Sequence, residues 1–222
     1  MNMTLSIIIA AVISYLLGSC NFSIIVVKLL KNEDIRQHGS CNAGLTNTLR
    51  CYGKGCALLT LIGDLSKGVI AVLASRCICD LLGGGLSPDN DTHYIGYIAG
   101  FFAILGHVFP LYYGFKGGKG VLVGVSTFIA VDPLLFFLLI VIFAVILSIS
   151  KYVSLSSIIA ASSCPLGVLI LHLFVYDDDI GRTLLYMILS IIMASVVVYM
   201  HKSNIVRLKN GTENRFSFKS TK

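Results

Sequence analysis

Seven apolar runs separated by short polar turns fill most of this chain, and they set what it can fold into. They are Leu5–Leu30, Cys56–Leu82, Tyr94–Tyr113, Lys119–Val131, Leu134–Ser150, Ile158–Tyr176 and Thr183–Met200. About 20 apolar residues cross a bilayer as a helix, so the pattern predicts an all-α integral membrane protein with seven transmembrane helices. Lys119–Val131 is short for a crossing and is expected to tilt, or to serve as a half-helix whose N-terminus points at an anion. Only 13% of the residues are charged, against about 25% in soluble domains. The 222 residues leave no room for a separate soluble domain, so 1–222 reads as a single polytopic membrane domain.

The net charge of +6 would fit nucleic acid, but the basic residues lie between and after the apolar runs rather than along one helix face. Topology accounts for them, and no nucleic-acid partner is expected. Placing segments 31–54, 116–119, Lys151 and the tail on one side gives that side 14 of the 17 Lys and Arg, counting Lys28 at the membrane edge. The opposite loops carry Arg76 and Arg182 beside seven Asp. The positive-inside rule then sets the N-terminus outside and the C-terminus in the cytoplasm. Leu17-Gly18-Ser19-Cys20 loosely resembles a lipoprotein cleavage site, but no Lys or Arg precedes it, so an uncleaved first helix is expected. The seven cysteines lie mostly inside apolar runs without metal-site spacing and read as packing residues and free thiols.

Four polar stretches stand out, and the inferred topology brings all of them to the cytoplasmic face. The first, Lys31–Lys54, concentrates Ser40, Asn42, Thr46, Asn47 and Arg50 among glycines, a set of hydroxyl, amide and guanidinium groups suited to gripping phosphate. The second, Gly106–Gly120, contains Lys116-Gly117-Gly118-Lys119-Gly120. Its glycines can take φ > 0 and aim successive N–H groups at one anion, with two lysines adding charge. The third, Lys151–Ser157, has three serines at a helix start, where caps are the expectation. The fourth is the basic tail from His201. Elsewhere, Asp64 and Lys67 are three residues apart inside an apolar run, so they share a helix face and are expected to pair, because an unpaired mid-membrane charge costs about 2.5–3.5 kcal/mol. Gly83–His93 and Asp177–Asp179 read as acidic loops on the outer side.

Taken together, Gly39-Ser40-Cys41-Asn42-Ala43-Gly44-Leu45-Thr46-Asn47-Thr48-Leu49-Arg50, Asp64-Leu65-Ser66-Lys67-Gly68, Gly106-His107-Val108-Phe109-Pro110 with Phe115–Gly120, Tyr152–Ser157 and His201–Arg207 resemble the bacterial acyl-phosphate:glycerol-3-phosphate acyltransferases, in order and spacing and over nearly the whole chain. Cys41 and Leu45 stand where that family usually has Gly and Ala, and Val121-Leu122-Val123 where it usually has Val-Ala-Thr. The resemblance implies transfer of a fatty acyl group from acyl phosphate to the 1-hydroxyl of glycerol 3-phosphate, the first acylation of phospholipid synthesis, giving lysophosphatidic acid and phosphate. It also implies a multi-pass location in the bacterial plasma membrane with the active site facing the cytoplasm, membrane lipid as surroundings, and a functional link to a soluble enzyme that forms acyl phosphate.

By the same resemblance Ser40, Asn42 and the Gly117, Gly118 and Gly120 amides fall to acyl phosphate. Arg50, Lys119 and Asn204 fall to glycerol 3-phosphate. His107 lies beside the centre, with Ser154 and Ser156 as phosphate or hydroxyl contacts and His201 lining the site. No cofactor or metal is expected, since no carboxylate cluster occurs on the cytoplasmic side. For the proton of the attacking hydroxyl, the leaving phosphate is favoured over His107, because no carboxylate is evident nearby to orient an imidazole base. The alternatives are a transporter of phosphate or an organic anion, for which internal repeats would be expected and none is evident, and a diverged acyltransferase for another substrate.

Overall fold

The computed structural model describes residues 3–83 and 93–216, and every described regular element is helical. The chain falls into two compact units, Met1–Val131 and Asp132–Lys222. The acidic loop expected at Gly83–His93 lies mainly outside the described residues.

In the N-terminal unit the first apolar run is two helices rather than one. α1 spans Met3–Ser19 and α2 spans Phe22–Lys31. The break falls at Cys20-Asn21 because the Asn21 carboxamide oxygen accepts the Ile24 N–H at 3.2 Å and so caps α2. α3 spans Leu45–Gly83 and bends at Gly53, whose φ of 77° and ψ of −174° only glycine adopts without strain. Leu45–Tyr52, expected as part of a polar loop, is therefore a short helical segment ahead of the long apolar one. α4 spans His93–Val108 and α5 spans Val121–Val131.

Small residues let these helices close on one another. A Cβ on Gly18 of α1 would lie 2.2 Å from the Ala103 carbonyl oxygen of α4, so the two backbones touch, as is common between helices in lipid. The hydroxyls of Ser14 and Ser75 meet at 3.0 Å between α1 and α3, both fully buried. At eleven residues, α5 is roughly 16 Å long, about half of a hydrocarbon core.

In the C-terminal unit α6 spans Pro133–Ser150, α7 spans Val153–Phe174, α8 spans Ile180–Met200 and α9 spans Lys202–Lys209. Asp132 caps α6 by accepting the Leu135 N–H at 3.0 Å, with Pro133 in the first turn, where its missing N–H costs nothing. Asp179 caps α8 through the Arg182 N–H at 3.0 Å. The acidic Asp177–Asp179 stretch is thus partly structural: Asp178 also meets buried His172 at 2.7 Å, and the Tyr176 hydroxyl donates to Asp132 at 2.8 Å. The basic tail is not wholly extended, since α9 follows α8 directly. Large apolar side chains such as Phe137, Val141 and Ile149 stand exposed on α6. That surface suits lipid and would be costly in water.

Among the described residues six helical spans are long and apolar enough to cross a membrane, α1 and α2 together making one, and the remaining predicted crossing is the shorter α5.

Candidate active site

The first polar loop is folded around one side chain. Asn47, 2% exposed, accepts the Ser40 N–H on Oδ1 at 2.9 Å, while its Nδ2 reaches the carbonyls of His38 at 2.9 Å and Asn42 at 3.1 Å. With Asn47 consumed as scaffold, Ser40 stands exposed and Asn42 half-buried. Ala43 is fully buried, and its carbonyl accepts from Asn21 at 3.3 Å, fastening the loop to the break between α1 and α2. Arg50, two residues before the end of the short helical segment, is exposed.

A second clamp joins this loop to the glycine-rich turn. Asp34 grips Arg36 through both carboxylate oxygens, at 2.7 to 3.1 Å. Arg36 Nη1 then donates to the carbonyls of Tyr113 at 2.7 Å and Lys116 at 3.2 Å. The Arg36 hydrogen bonds hold the Asp34 carboxyl below its usual range, against the opposing effect of burial. Sequence reading passed over both residues, although an Asp two positions before an Arg at the start of a helical turn is a recognisable local pairing.

The glycine-rich turn is built differently from the expected cradle. Gly117 and Gly118 do not have positive φ, and their N–H groups donate to Val108 O at 3.1 Å and His107 O at 3.0 Å. Those two amides are committed to the backbone, and the expectation that they hold phosphate is corrected. The residues are glycine because there is no space for a side chain. A Cβ on Gly117 would lie 2.0 Å from His107 O, and one on Gly118 would lie 2.1 Å from His107 Nε2 and 2.4 Å from Ala43 O. The start of α5 lies one step on. Gly120, at φ 80°, accepts the Gly124 N–H at 2.8 Å and opens α5, so the amides at the start of α5 have no partner one turn back and carry the positive end of the helix dipole. Half-buried Lys119 sits immediately before them.

Behind the turn lies a buried polar group. Lys67 Nζ is 2.8 Å from Asp64 Oδ1, as the three-residue spacing predicted, and it also meets His107 Nδ1 at 2.9 Å and the Cys20 carbonyl at 3.0 Å. Asp64, Lys67 and His107 are 1, 3 and 4% exposed. The expectation that no carboxylate is near His107 is therefore wrong: Asp64 Oδ1 is 3.8 Å from its Nδ1. No local spacing links residues 43 positions apart, so the sequence carried no signal for this contact.

The C-terminal unit gathers its own donors around a residue that sequence reading did not single out. Glu213 accepts from Ser154 Oγ at 3.0 Å and Asn204 Nδ2 at 2.8 Å on one oxygen, and from Arg207 Nε at 2.7 Å on the other. Burial raises its pKa, but the donors Asn204, Arg207 and Ser154 outweigh burial and leave the carboxyl below its usual range. The only hint in sequence was an acidic residue soon after a glycine in a basic tail. His201, 2% exposed, has Nδ1 2.8 Å from Val197 O. A carbonyl only accepts, so Nδ1 carries the proton. The serines are not caps. Tyr152 holds the cap position, and the hydroxyls of Ser156 and Ser157 donate back to the carbonyls of Tyr152 at 2.8 Å and Val153 at 2.9 Å. Ser156 is fully buried in that role. Of the two serines expected to touch substrate, Ser154 is the one that meets polar groups from another element.

Long apolar helices ending in polar loops rich in amide, hydroxyl and cationic groups define a membrane-integral protein equipped to hold anions beside a lipid phase. The chain belongs to the glycerol-3-phosphate acyltransferase family, whose profile matches residues 8–211, and it is an enzyme of that family. It is 42% identical to the glycerol-3-phosphate acyltransferase of Halalkalibacterium halodurans over 93% of each chain. It is 37% identical to that of Clostridioides difficile, covering 96% of this chain and 97% of the relative. The solved structure of PlsY, an integral membrane glycerol 3-phosphate acyltransferase in its glycerol 3-phosphate form, is 33% identical and superposes with a TM-score of 0.77 over 96% of each chain. The lysophosphatidic acid form of PlsY gives 0.75.

Proposed function

We propose that this chain transfers a fatty acyl group from acyl phosphate to the 1-hydroxyl of glycerol 3-phosphate, releasing inorganic phosphate and lysophosphatidic acid. The observation that carries the reading is the junction of the Ser40–Asn42 loop with the glycine-rich turn. Gly118 packs against Ala43 and His107 there, immediately ahead of Lys119 and the open amides of α5. Such donors suit a phosphate group, and the apolar helices offer surroundings for an acyl chain. The PlsY structures with glycerol 3-phosphate and lysophosphatidic acid support the acceptor and the product.

In the reaction, the 1-hydroxyl oxygen bonds to the acyl carbonyl carbon and the bond from that carbon to the bridging phosphate oxygen breaks. The hydroxyl proton passes to the departing phosphate, so no protein base is consumed. Because phosphate is a good leaving group, the protein's task is to position both substrates and to stabilise the oxyanion of the tetrahedral intermediate. Ser40, Asn42, His107 and the α5 amides serve acyl phosphate. Arg50 and Lys119 serve glycerol 3-phosphate; Asn204, with Ser154 and His201, is assigned to the substrates by the family resemblance alone. The chain acts as one polytopic domain in the plasma membrane, with these loops toward the cytoplasm, where a soluble enzyme supplies acyl phosphate.

The test is purified protein in detergent or lipid, given acyl phosphate and glycerol 3-phosphate, with acyl-CoA as the control donor. Phosphate release that requires both substrates, with lysophosphatidic acid formed in equal amount, is the expected result. Acylation from acyl-CoA alone, or phosphate release indifferent to glycerol 3-phosphate, would overturn the reading.

A further inference from the structure

The Asp64–Lys67 pair does more than neutralise itself. Lys67 has three N–H donors and no acceptor. Two of them find the Cys20 carbonyl at 3.0 Å and His107 Nδ1 at 2.9 Å, and Asp64 balances the charge at 2.8 Å. An ammonium can only donate, so Nδ1 of His107 must accept, and the single proton of the neutral ring then belongs on Nε2. Nε2 is the ring nitrogen that lies against Gly118, which also packs on the Ala43 carbonyl of the first loop.

We infer that Lys67 is a positioning residue that fixes His107 in the Nε2–H tautomer, so that the imidazole presents a hydrogen-bond donor where the two substrate loops meet. This inference rests on the function proposed above. The arrangement inverts the one that makes a histidine a base. There a carboxylate accepts from Nδ1–H and leaves a lone pair on Nε2; here a cation donates to Nδ1, and Nε2 has a proton to offer and none to take. Asp64 lies 3.8 Å from the same Nδ1, and Lys67 stands in the place its carboxylate would need. The ring can thus hold a phosphoryl or carbonyl oxygen of acyl phosphate but cannot remove the proton of the attacking hydroxyl through Nε2.

Nitrogen-15 NMR of histidine-labelled protein in detergent tests the tautomer directly, with His107 assigned as the signals missing from His107→Gln. The expected spectrum has an unprotonated Nδ1 and a protonated Nε2; a protonated Nδ1 in the native protein overturns the inference by itself. The functional half is read by replacing the buried pair together, Asp64→Leu with Lys67→Met, since removing one partner alone would leave a buried charge. Loss of the donor should unlock the His107 tautomer and lower kcat/KM for acyl phosphate by about tenfold, the scale of one oriented hydrogen bond. In a His107→Gln background, where a carboxamide offers an N–H without any tautomer, the same pair replacement should change kcat/KM by no more than about threefold. Equal losses in both backgrounds would reduce Lys67 to a structural role. If the native protein shows the expected tautomer yet does not use acyl phosphate, the proposed function fails while the lock on His107 stands.

Discussion

Gly118→Ala puts one methyl group where the structure has no room for it. The new carbon would lie 2.1 Å from His107 Nε2 and 2.4 Å from the Ala43 carbonyl oxygen, against 3.4–4 Å for ordinary van der Waals contact. Neither neighbour yields freely. His107 is tied through Nδ1 to Lys67, and Ala43 O is main chain held by Asn21. Relief therefore needs a displacement on the order of 1 Å between the first loop and the glycine-rich turn, at an overpacking cost of about 1–3 kcal/mol. Misplacement of that size at a reacting centre costs roughly 100-fold in rate. Gly114→Ala is the matched control. Its φ of 65° makes alanine cost about 1–2 kcal/mol in backbone strain, but its Cβ would meet nothing within 4 Å. The two variants should thus lose similar stability, measured by thermal unfolding in detergent, while only Gly118→Ala loses about two orders of magnitude in phosphate release. Activity of Gly118→Ala within threefold of the native protein, or equal loss in both variants, would refute the reasoning.

Arg50→Lys keeps the charge but removes the planar fork, so it should raise KM for glycerol 3-phosphate and leave that for acyl phosphate unchanged; unchanged kinetics for both would remove Arg50 from the site. Glu213→Ala leaves Asn204, Ser154 and Arg207 without their shared acceptor and should destabilise the docked tail by about 1–3 kcal/mol, seen as faster amide exchange over 204–213. The pH dependence has a definite sign. Because the folded-state pKa of Glu213 is lowered, its contribution is present above the unfolded carboxylate value of about 4.3 and is lost as pH falls through the folded value, so exchange over 204–213 should rise on acidification and Glu213→Gln should flatten that rise. For orientation, exposed Cys41 should react with an impermeant thiol reagent only from the cytoplasmic side. An Asp177→Cys variant otherwise lacking cysteines should react only from outside; Asp177 is preferred to Asp178, which holds His172. Labelling of both from one side would refute the charge-derived topology.

What could be read from the sequence was what depends on local period. Hydrophobic run length located every long helix, and the three-residue interval between Asp64 and Lys67 was enough to pair them. Features set by a single side chain were less accessible. One Asn at position 21 splits an apolar run that looks continuous, because its carboxamide caps a helix in a setting where hydropathy alone predicts none. The glycines of the central turn illustrate a different ambiguity. A run of Gly serves equally for positive φ and for close approach, and only the packing of His107 and Ala43 on Gly118 separates the two. Contacts across long separations, such as Lys67 with His107 or Ser154 with Glu213, leave no spacing to read.

Arg36 carries a consequence for how the protein is made. Asp34 can hold its guanidinium as soon as the first loop leaves the ribosome, but the carbonyls that complete its coordination belong to Tyr113 and Lys116, 77 and 80 residues later. Gly118 reaches Ala43 across a similar span. The first loop therefore waits, half assembled, while α3 and α4 are synthesised and inserted, and contacts of such long range close slowly. A chain halted before residue 113 would contain every side chain of the first loop and neither of the carbonyls that complete the Arg36 clamp. In nascent-chain intermediates of that length the segment around Ser40–Asn42 should be cut by proteases faster than in the finished protein, and quality control in the membrane has that interval in which to act on a stalled chain.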